Sequence, residues 1–427
     1  MYRLDYALDD KFRGITEKFS DEFKEYLIDY HNLNITKERS NTINIVVKCW
    51  LVNSYHPVLK GRSKIHLSLD KNTFSKGQIV NGRTSSKKVS YLYTKRFLAF
   101  LNHNSYIDLV VGGELSKWAF LDGKWRPTEF SQSYAVVEDK LIDVYQGYNI
   151  KAKQKPLKNV ILLRDEDGKE LPFKMNSHKK EVRGYLQDYN ESSLEHTITL
   201  DDIGYDVQSY KVYNKDLQKG GRTYMTGGSI QSLSRKDRGR LIVDGKSVVI
   251  LDFKGFEPSC AYQMKSLVKP FEDPYQITID GIDPEILRDV CKKALLIMFN
   301  TESRLQAEKA LTSALRKTYD AEGLFQSGKL FCPVFPIKVI LDKLEDEHYQ
   351  LQDLFYCNFG YELQYAGGLI NDYICNYFLQ NTNHLIIQTH DEFIGTYNIE
   401  NEIRKVMQQG FEIILGGAEN CHITKEK

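Results

Sequence analysis

The chain has 427 residues, 41% hydrophobic and 27% charged, with a formal net charge of +1. That length allows two or three domains with a substantial core. The composition excludes a disordered or collagen-like chain, and no apolar run approaches the roughly 18 residues a membrane span needs, so no membrane partner is expected. Seven cysteines without a C-x-x-C pair predict reduced thiols rather than a disulfide framework or structural zinc. The charged Met1–Gly14 stretch lacks a signal-peptide core. A cytoplasmic or other intracellular site, not secretion, is expected.

Residues 1–40 read as helical and charged. From Asn44 to Leu69 an apolar stretch, Ile45–Leu51, leads to Gly61–Leu67, which alternates like a strand. Between His56 and Phe100 ten basic residues face one acid, Asp70; from Lys211 to Lys246 nine face three. Such blocks are ordinarily solvated surface, but two in a nearly neutral chain favour a phosphate-backbone partner. Thr94 is placed to cap a helix carrying Phe97, Leu98 and Leu101. Strand-like Tyr106–Val111 then ends in Gly112-Gly113, and a second strand, Trp118–Leu121, closes at the hairpin dipeptide Asp122-Gly123. Helix followed by β-wing resembles a winged helix-turn-helix, which implies a helix in the major groove and a wing on the backbone. A small α+β packing domain without DNA contact fits the same pattern. Residues 146–159 read as a polar linker, Val160–Asp165 as a strand ending at Asp167-Gly168, and His178–Glu191 as a charged helix.

The apolar run Val248–Leu251 reads as a buried strand that delivers Asp252 at its tip. Gly255 lets the backbone turn, Glu257 adds a second acid, and Pro258 suits a first helical turn before a helical run, Ser259–Val268. Ahead of the strand lie Gly220-Gly221-Arg222, then Ser229 to Leu233 with Gln231, then Arg235, Arg238 and Arg240. The glycines permit close backbone approach, and the arginines can reach phosphates or the minor groove. Behind it, Asp283-Pro284 starts a helix in which Arg288, Lys292, Leu296 and Asn300 recur every four residues along one drifting face. An Arg–Lys pair one turn apart suits a polyphosphate. Finally, apolar residues lead into His390-Asp391-Glu392 and out again, which predicts acids at a hairpin turn between two buried strands. Each feature alone has a plainer reading: a turn aspartate, a solvated basic stripe, a wet hairpin tip. Together, Asp252 and Asp391 are the hard-oxygen type that two Mg²⁺ ions about 3.5–4 Å apart require.

In this order, Gly-Arg … Gln, Asp-x-x-x-x-Glu, Arg-x-x-x-Lys and His-Asp-Glu, the motifs resemble the family A (DNA polymerase I-like) DNA polymerases. The likeness is to the short branch found in virophages, transposon-like viruses, phages and plasmids, and it covers about residues 160–427. The resemblance implies an α+β right-hand polymerase. Its palm would come from the 248–256 strand and the 384–397 hairpin, its fingers from 270–345, and a helical thumb from 174–215. Residues 1–145 would form a winged-helix-like N-terminal region, 146–219 a connector and thumb-like segment, and 220–427 the palm and fingers. The implied activity is DNA-directed DNA polymerase, a nucleotidyltransferase serving replication of a virus or mobile element. Its partners would be primer–template DNA, dNTPs and replication accessory proteins.

The resemblance also assigns roles. Asp252, Asp391 and the Phe253 carbonyl would bind two Mg²⁺ ions, with Mn²⁺ as a substitute. Arg288 and Lys292 would hold the triphosphate, Lys292 also protonating the leaving group, on the nucleotide-binding face shared with Leu296 and Asn300. Glu257 would block a 2′-hydroxyl. Arg222, Gln231, His390 and Glu392 would contact the primer–template, and Gln364 fits the family's template-contact glutamine. The chain departs from the family where Leu-Arg usually follows the glutamate (here Pro258-Ser259). It departs again where larger members carry an aromatic and a Tyr-Gly (Leu296, Asn300-Thr301). These departures bear on base selection and sugar discrimination, not on the metal chemistry. The first 200 residues hold no Asp-x-Glu set for a proofreading exonuclease. Two alternatives stand: a phage-type single-subunit RNA polymerase, against which Glu257 and the acid after Asp391 speak, and a DNA-binding replication initiator with an inactive polymerase domain.

Overall fold

The computed structural model describes residues 10–67, 79–80, 83–84, 89–111, 117–121, 124–129, 133–148, 150, 156–201, 203–225, 230–320 and 335–426. The expected turns at Gly112-Gly113 and Asp122-Gly123, the basic residues Lys71, Lys76, Lys87 and Lys88, Ser229, and the Lys151–Lys155 part of the linker lie outside them. The chain is mixed α+β and divides into two compact units. Residues 1–165, 169–211 and 224–248 make the first, and residues 166–168, 212–223 and 249–427 the second.

The first unit opens with the helix Arg13–His31, whose Ile15, Phe19, Phe23 and Leu27 recur every four residues and are buried. They pack with Trp50, Leu51 and Tyr55 of the helix Lys37–Leu59 and with Phe97, Leu98 and Leu101 of Tyr91–His103 into one apolar core. The expected cap of that last helix is corrected by one turn. Ser90 accepts from the Tyr93 N–H, while Thr94 lies buried inside the helix. Ile107–Val110 pairs antiparallel with Tyr134–Val137, which pairs with Lys64–His66. Lys117–Leu121 and Lys124–Glu129 form the expected hairpin.

The stretch 174–215 is only partly helical. Ser177–Ser193 is helix, but Ile198–Leu200, Ile203–Gly204 and Ser209–Asn214 are strands. Their β-branched and aromatic residues fit a pleated, half-buried surface better than a helix. Many cations of the two basic blocks are engaged within the protein. Lys60 pairs with Asp206, and Arg62 Nε donates to the Gly204 carbonyl at 2.6 Å while its guanidinium sits 4.3 Å from the Tyr205 ring centre. Lys64 lies over Tyr134, Lys211 is buried, and Arg240 pairs with Asp201 and Asp237.

In the second unit, the far end of the strand Lys246–Phe253 is flanked by Ile423–Lys425 on one side and Glu392–Thr396 on the other. Glu392–Thr396 continues the pairing to Ile387–Thr389. Around these strands stand the helices Phe256–Met264, Pro284–Phe299, Arg304–Asp320, Ile337–Glu347, Gly360–Asn381 and Glu400–Leu415. Arg304 ties two of them together: its Nη1 donates to both carboxylate oxygens of Glu345, at 3.0 and 2.9 Å, and its Nη2 pairs with Asp342. Among the described residues no helix is long and apolar enough to cross a membrane.

Candidate active site

Val248 to Leu251 are buried as a β-strand should be, and Asp252 stands half-buried at the tip. Phe253 is buried, its ring 5.1 Å from that of Phe256, and it meets Phe393 edge-on at 6.1 Å. The strand is therefore locked to the following helix and to the opposite hairpin. Gly255 adopts φ +60°, and a Cβ there would come within 2.8 Å of Pro274, so both backbone conformation and space demand glycine. It heads the helix Phe256–Met264, which places Glu257 in the first turn, where the partial positive charge of the helix end favours an acid. Pro258 sits in that first turn as expected.

The hairpin also forms as the sequence implies: Thr389 pairs with Glu392 across the turn His390-Asp391. His390 has φ +63°, a left-handed conformation that histidine tolerates better than bulky apolar residues do. Two buried amides fix its carbonyl, Asn371 Nδ2 donating at 3.0 Å and Gln388 Nε2 at 2.9 Å. The next carbonyl, that of Asp391, accepts from the Phe253 N–H at 3.3 Å. The backbones carrying Asp252 and Asp391 are thus neighbours, joined directly after the first aspartate.

The electrostatics gather at the same place. Burial raises the pKa of Glu257 and nearby Asp391 raises it further, while Arg222 and Lys292 pull it down. Asp391 is likewise raised, chiefly by burial and then by Glu392, with Lys292 and His390 opposing. Lys292 therefore acts on both carboxylates. It projects from the exposed face of Pro284–Phe299, whose other face buries Leu287, Cys291, Ala294, Leu295 and Met298. Asp283 caps that helix by accepting from the Glu285 and Ile286 N–H groups, with Pro284 in the first position.

The remaining expected residues divide. Arg222 reaches Glu257 at 3.6 Å. Arg288 Nε donates to Asp273 at 2.6 Å, and the Tyr275 N–H donates to the other oxygen of that carboxylate at 3.1 Å. Leu296 and Asn300 are exposed, and Gln364 Nε2 approaches Asn300 Oδ1 at 3.5 Å. His390 is exposed, but Glu392 is only 3% exposed and accepts from the Thr389 hydroxyl at 2.7 Å. Its first task is therefore to brace the turn. Gln231 belongs to the other unit, where its Oε1 accepts from the Met225 N–H.

Sequence reading passed over Asp273, Tyr275, Gln388 and Asn371. Asn371 is 6% exposed, and its Oδ1 is buried with no hydrogen-bond donor. Such an atom costs about 1–3 kcal/mol. The helix Gly360–Asn381 carries Gln364, Gly367, Gly368 and Asn371 at i, i+3, i+4 and i+7, one continuous face. A Cβ at Gly367 would meet the Phe256 ring at 2.8 Å, so this face lies directly on the Asp252 motif. An amide spaced seven residues from another, with glycines between, was the available signal.

The donor set suits Mg²⁺. All the groups offer hard oxygens, and Asp391 and Glu257 are raised chiefly by burial, a state that a divalent ion relieves by favouring the charged form. Among the described residues no group of three or more His, Cys, Asp or Glu could hold a metal by itself. Magnesium bound by one or two carboxylates ordinarily completes its shell with water and substrate phosphates.

No protein-family model matches the chain, and no curated protein matches it. Among solved structures it is similar to the POL domain of Pol1 from M. smegmatis in complex with DNA primer-template and dNTP. The likeness has 12% identity and a TM-score of 0.30, and covers 58% of this chain and 51% of that one, so the match spans about half of that domain.

Proposed function

We propose that this protein is a template-directed DNA polymerase that adds dNMPs to a primer 3′ end. One observation carries the reading. Asp252 at its strand tip and Asp391 in the hairpin turn are brought together by the Phe253–Asp391 backbone bond, and Glu257, Lys292 and Asp391 interact electrostatically. The order of the four motifs along the chain is the one the family A resemblance requires, and this supports the reading.

Asp252, Asp391 and the Phe253 carbonyl are the groups that would hold the metal. When bound, two Mg²⁺ ions would activate the 3′-hydroxyl and stabilise the departing pyrophosphate. The chain's own residues orient the reactants. Lys292, exposed and acting on Asp391 and Glu257, holds the triphosphate and gives its proton to the leaving oxygen. Arg288 exchanges its Asp273 partner for a phosphate, which its fork fits bidentately. Glu257, braced by Arg222, stands under the sugar and excludes a 2′-hydroxyl. His390 and Arg222 flank the primer end. In the first unit, the helix Tyr91–His103 and the Lys117–Leu121/Lys124–Glu129 hairpin are proposed to grip duplex DNA as a winged helix does.

Primer extension with Mg²⁺ tests the reading. Wild type should extend a DNA primer with dNTPs, and neither Asp252→Asn nor Asp391→Asn should. Extension by both variants at the wild-type rate would place the chemistry elsewhere. Equal use of dNTPs and rNTPs would favour the RNA polymerase alternative, and DNA binding without incorporation the initiator.

A further inference from the structure

We infer that Asn371 is a positioning residue that sets the Asp391 carboxylate by holding the left-handed His390 turn from the adjacent helix. The inference rests on the polymerase reading for its effect on rate, but not for its effect on the turn. His390 must keep φ +63° for the chain to enter Asp391 and then Glu392–Thr396. A residue in that region relaxes unless its surroundings over-determine it. Here two donors do so, and they come from different elements. Gln388 is local, two residues away, and travels with the hairpin. Asn371 belongs to Gly360–Asn381, which also packs against Phe256 through Gly367. Asn371 therefore references the turn to the helix that bears on the Asp252 motif, and so fixes one aspartate relative to the other.

The orientation of the amide is settled by its partner, since a carbonyl accepts only from Nδ2. That leaves Oδ1 buried without a donor. A leucine of nearly the same shape would remove the unsatisfied atom, so folding alone gives no reason for the amide. Its value lies in the bond to His390.

The full-length chain with Asn371→Leu provides the test, read three ways: thermal midpoint, steady-state single-nucleotide incorporation with Mg²⁺, and amide hydrogen exchange at Asp391 and Glu392. The midpoint should stay level or rise. kcat should fall about tenfold with the dNTP KM within twofold, and exchange at the turn should quicken at least fivefold. A purely structural asparagine would instead lower the midpoint and leave kcat of the folded enzyme unchanged. If Asn371→Leu does not fold, Gln388→Met removes the other donor to the same carbonyl and should show the same split between kcat and KM. Unchanged exchange in the folded variant overturns the inference whatever the rate does, as does kcat within twofold of wild type. If the wild type incorporates no nucleotide, the polymerase reading fails, and the exchange measurement still decides the role of Asn371.

Discussion

Asn190 and Gln208 in the first unit, and Asn371 and Gln388 in the second, are all side-chain amides buried beyond nine-tenths. In the first pair every group is answered. Asn190 Nδ2 donates to the Ser209 carbonyl at 2.9 Å and Oδ1 accepts from the Ser209 N–H at 2.6 Å. Gln208 Oε1 accepts from Leu157, and its Nε2 donates to the Asn190 carbonyl and to Ser193. This closed network pins the helix Ser177–Ser193 to the start of the strand Ser209–Asn214. In the second cluster Asn371 Oδ1 has no donor, His390 is left-handed, and Asp391 and Glu257 are held above the usual carboxylate range. A buried polar group that serves folding closes its hydrogen bonds, whereas one that serves a ligand leaves charge and valence open for it. The two clusters should accordingly fail in different ways.

The largest separation is expected at Asp391→Asn. If Asp391 is one of two metal carboxylates, as proposed, its removal should lower Mg²⁺-dependent incorporation by about a thousandfold or more, on the order of 4 kcal/mol of transition-state stabilisation. Thermal stability should not fall, because a desolvated charge disappears. A variant that loses stability and keeps its rate would move Asp391 into the closed class. At Asn190→Leu the pattern should invert. The Ser209 backbone and Gln208 lose their partners, so denaturant unfolding should show a loss of about 3–4 kcal/mol. The folded fraction should retain its incorporation rate.

A third measurement opens a closed cluster with protons. Buried His348 has both ring nitrogens engaged: Nε2 must donate to the Pro274 carbonyl at 2.8 Å, so Nδ1 accepts from the buried Tyr262 hydroxyl at 3.2 Å. Burial lowers its pKa from 6.5 to about 4, with nearby Lys269 adding to the shift. Because the folded value is depressed, the unfolded chain takes up the proton first. The contribution is complete above about pH 6.5 and is lost as pH falls towards 4, on the order of 3 kcal/mol in all. Stability measured across that interval should decline with acid in wild type. His348→Asn, which has no proton to take up there, should lack that component of the slope. An identical slope in both would assign the acid sensitivity to other groups.

What the sequence disclosed follows the range of the forces involved. The Asp252 strand, the His390-Asp391 turn and the capped start at Asp283-Pro284 are written locally, in apolar runs, a tight turn and a proline beside an acid, and they form where expected. The cap at Ser90 was hidden because Tyr91 to Tyr93 mask the start of an amphipathic helix and Thr94 is an equally good cap by type. Helix was expected too far along 174–215, because the strand partners of Ile198–Leu200 lie at Ile203–Gly204 and Ile242–Val243, and the latter is remote in sequence. Asn371 was legible only as part of a face, through its seven-residue spacing from Gln364. Its partner, a carbonyl nineteen residues away, could not be read from that spacing.

The smallest effect sought is at Glu257, and it tests how the open cluster selects its ligand. Glu257 is raised by burial and by Asp391, and its ion-pair partner, Arg222, stands at 3.6 Å rather than in tight contact. The carboxylate thus contributes little to folding, and Glu257→Ala should leave the thermal midpoint level or higher. Its proposed work is steric, since a side chain under the sugar leaves no space for a 2′-hydroxyl. Truncation should therefore raise rNMP incorporation relative to dNMP about tenfold, roughly 1.4 kcal/mol of discrimination. Glu257→Gln keeps the volume and removes the charge, so it should retain most of the selectivity. If Gln loses as much as Ala, the charge and its Arg222 partner do the selecting. If neither variant alters the ratio, sugar choice lies outside Glu257, and Leu296 and Asn300 on the facing helix become the residues to change.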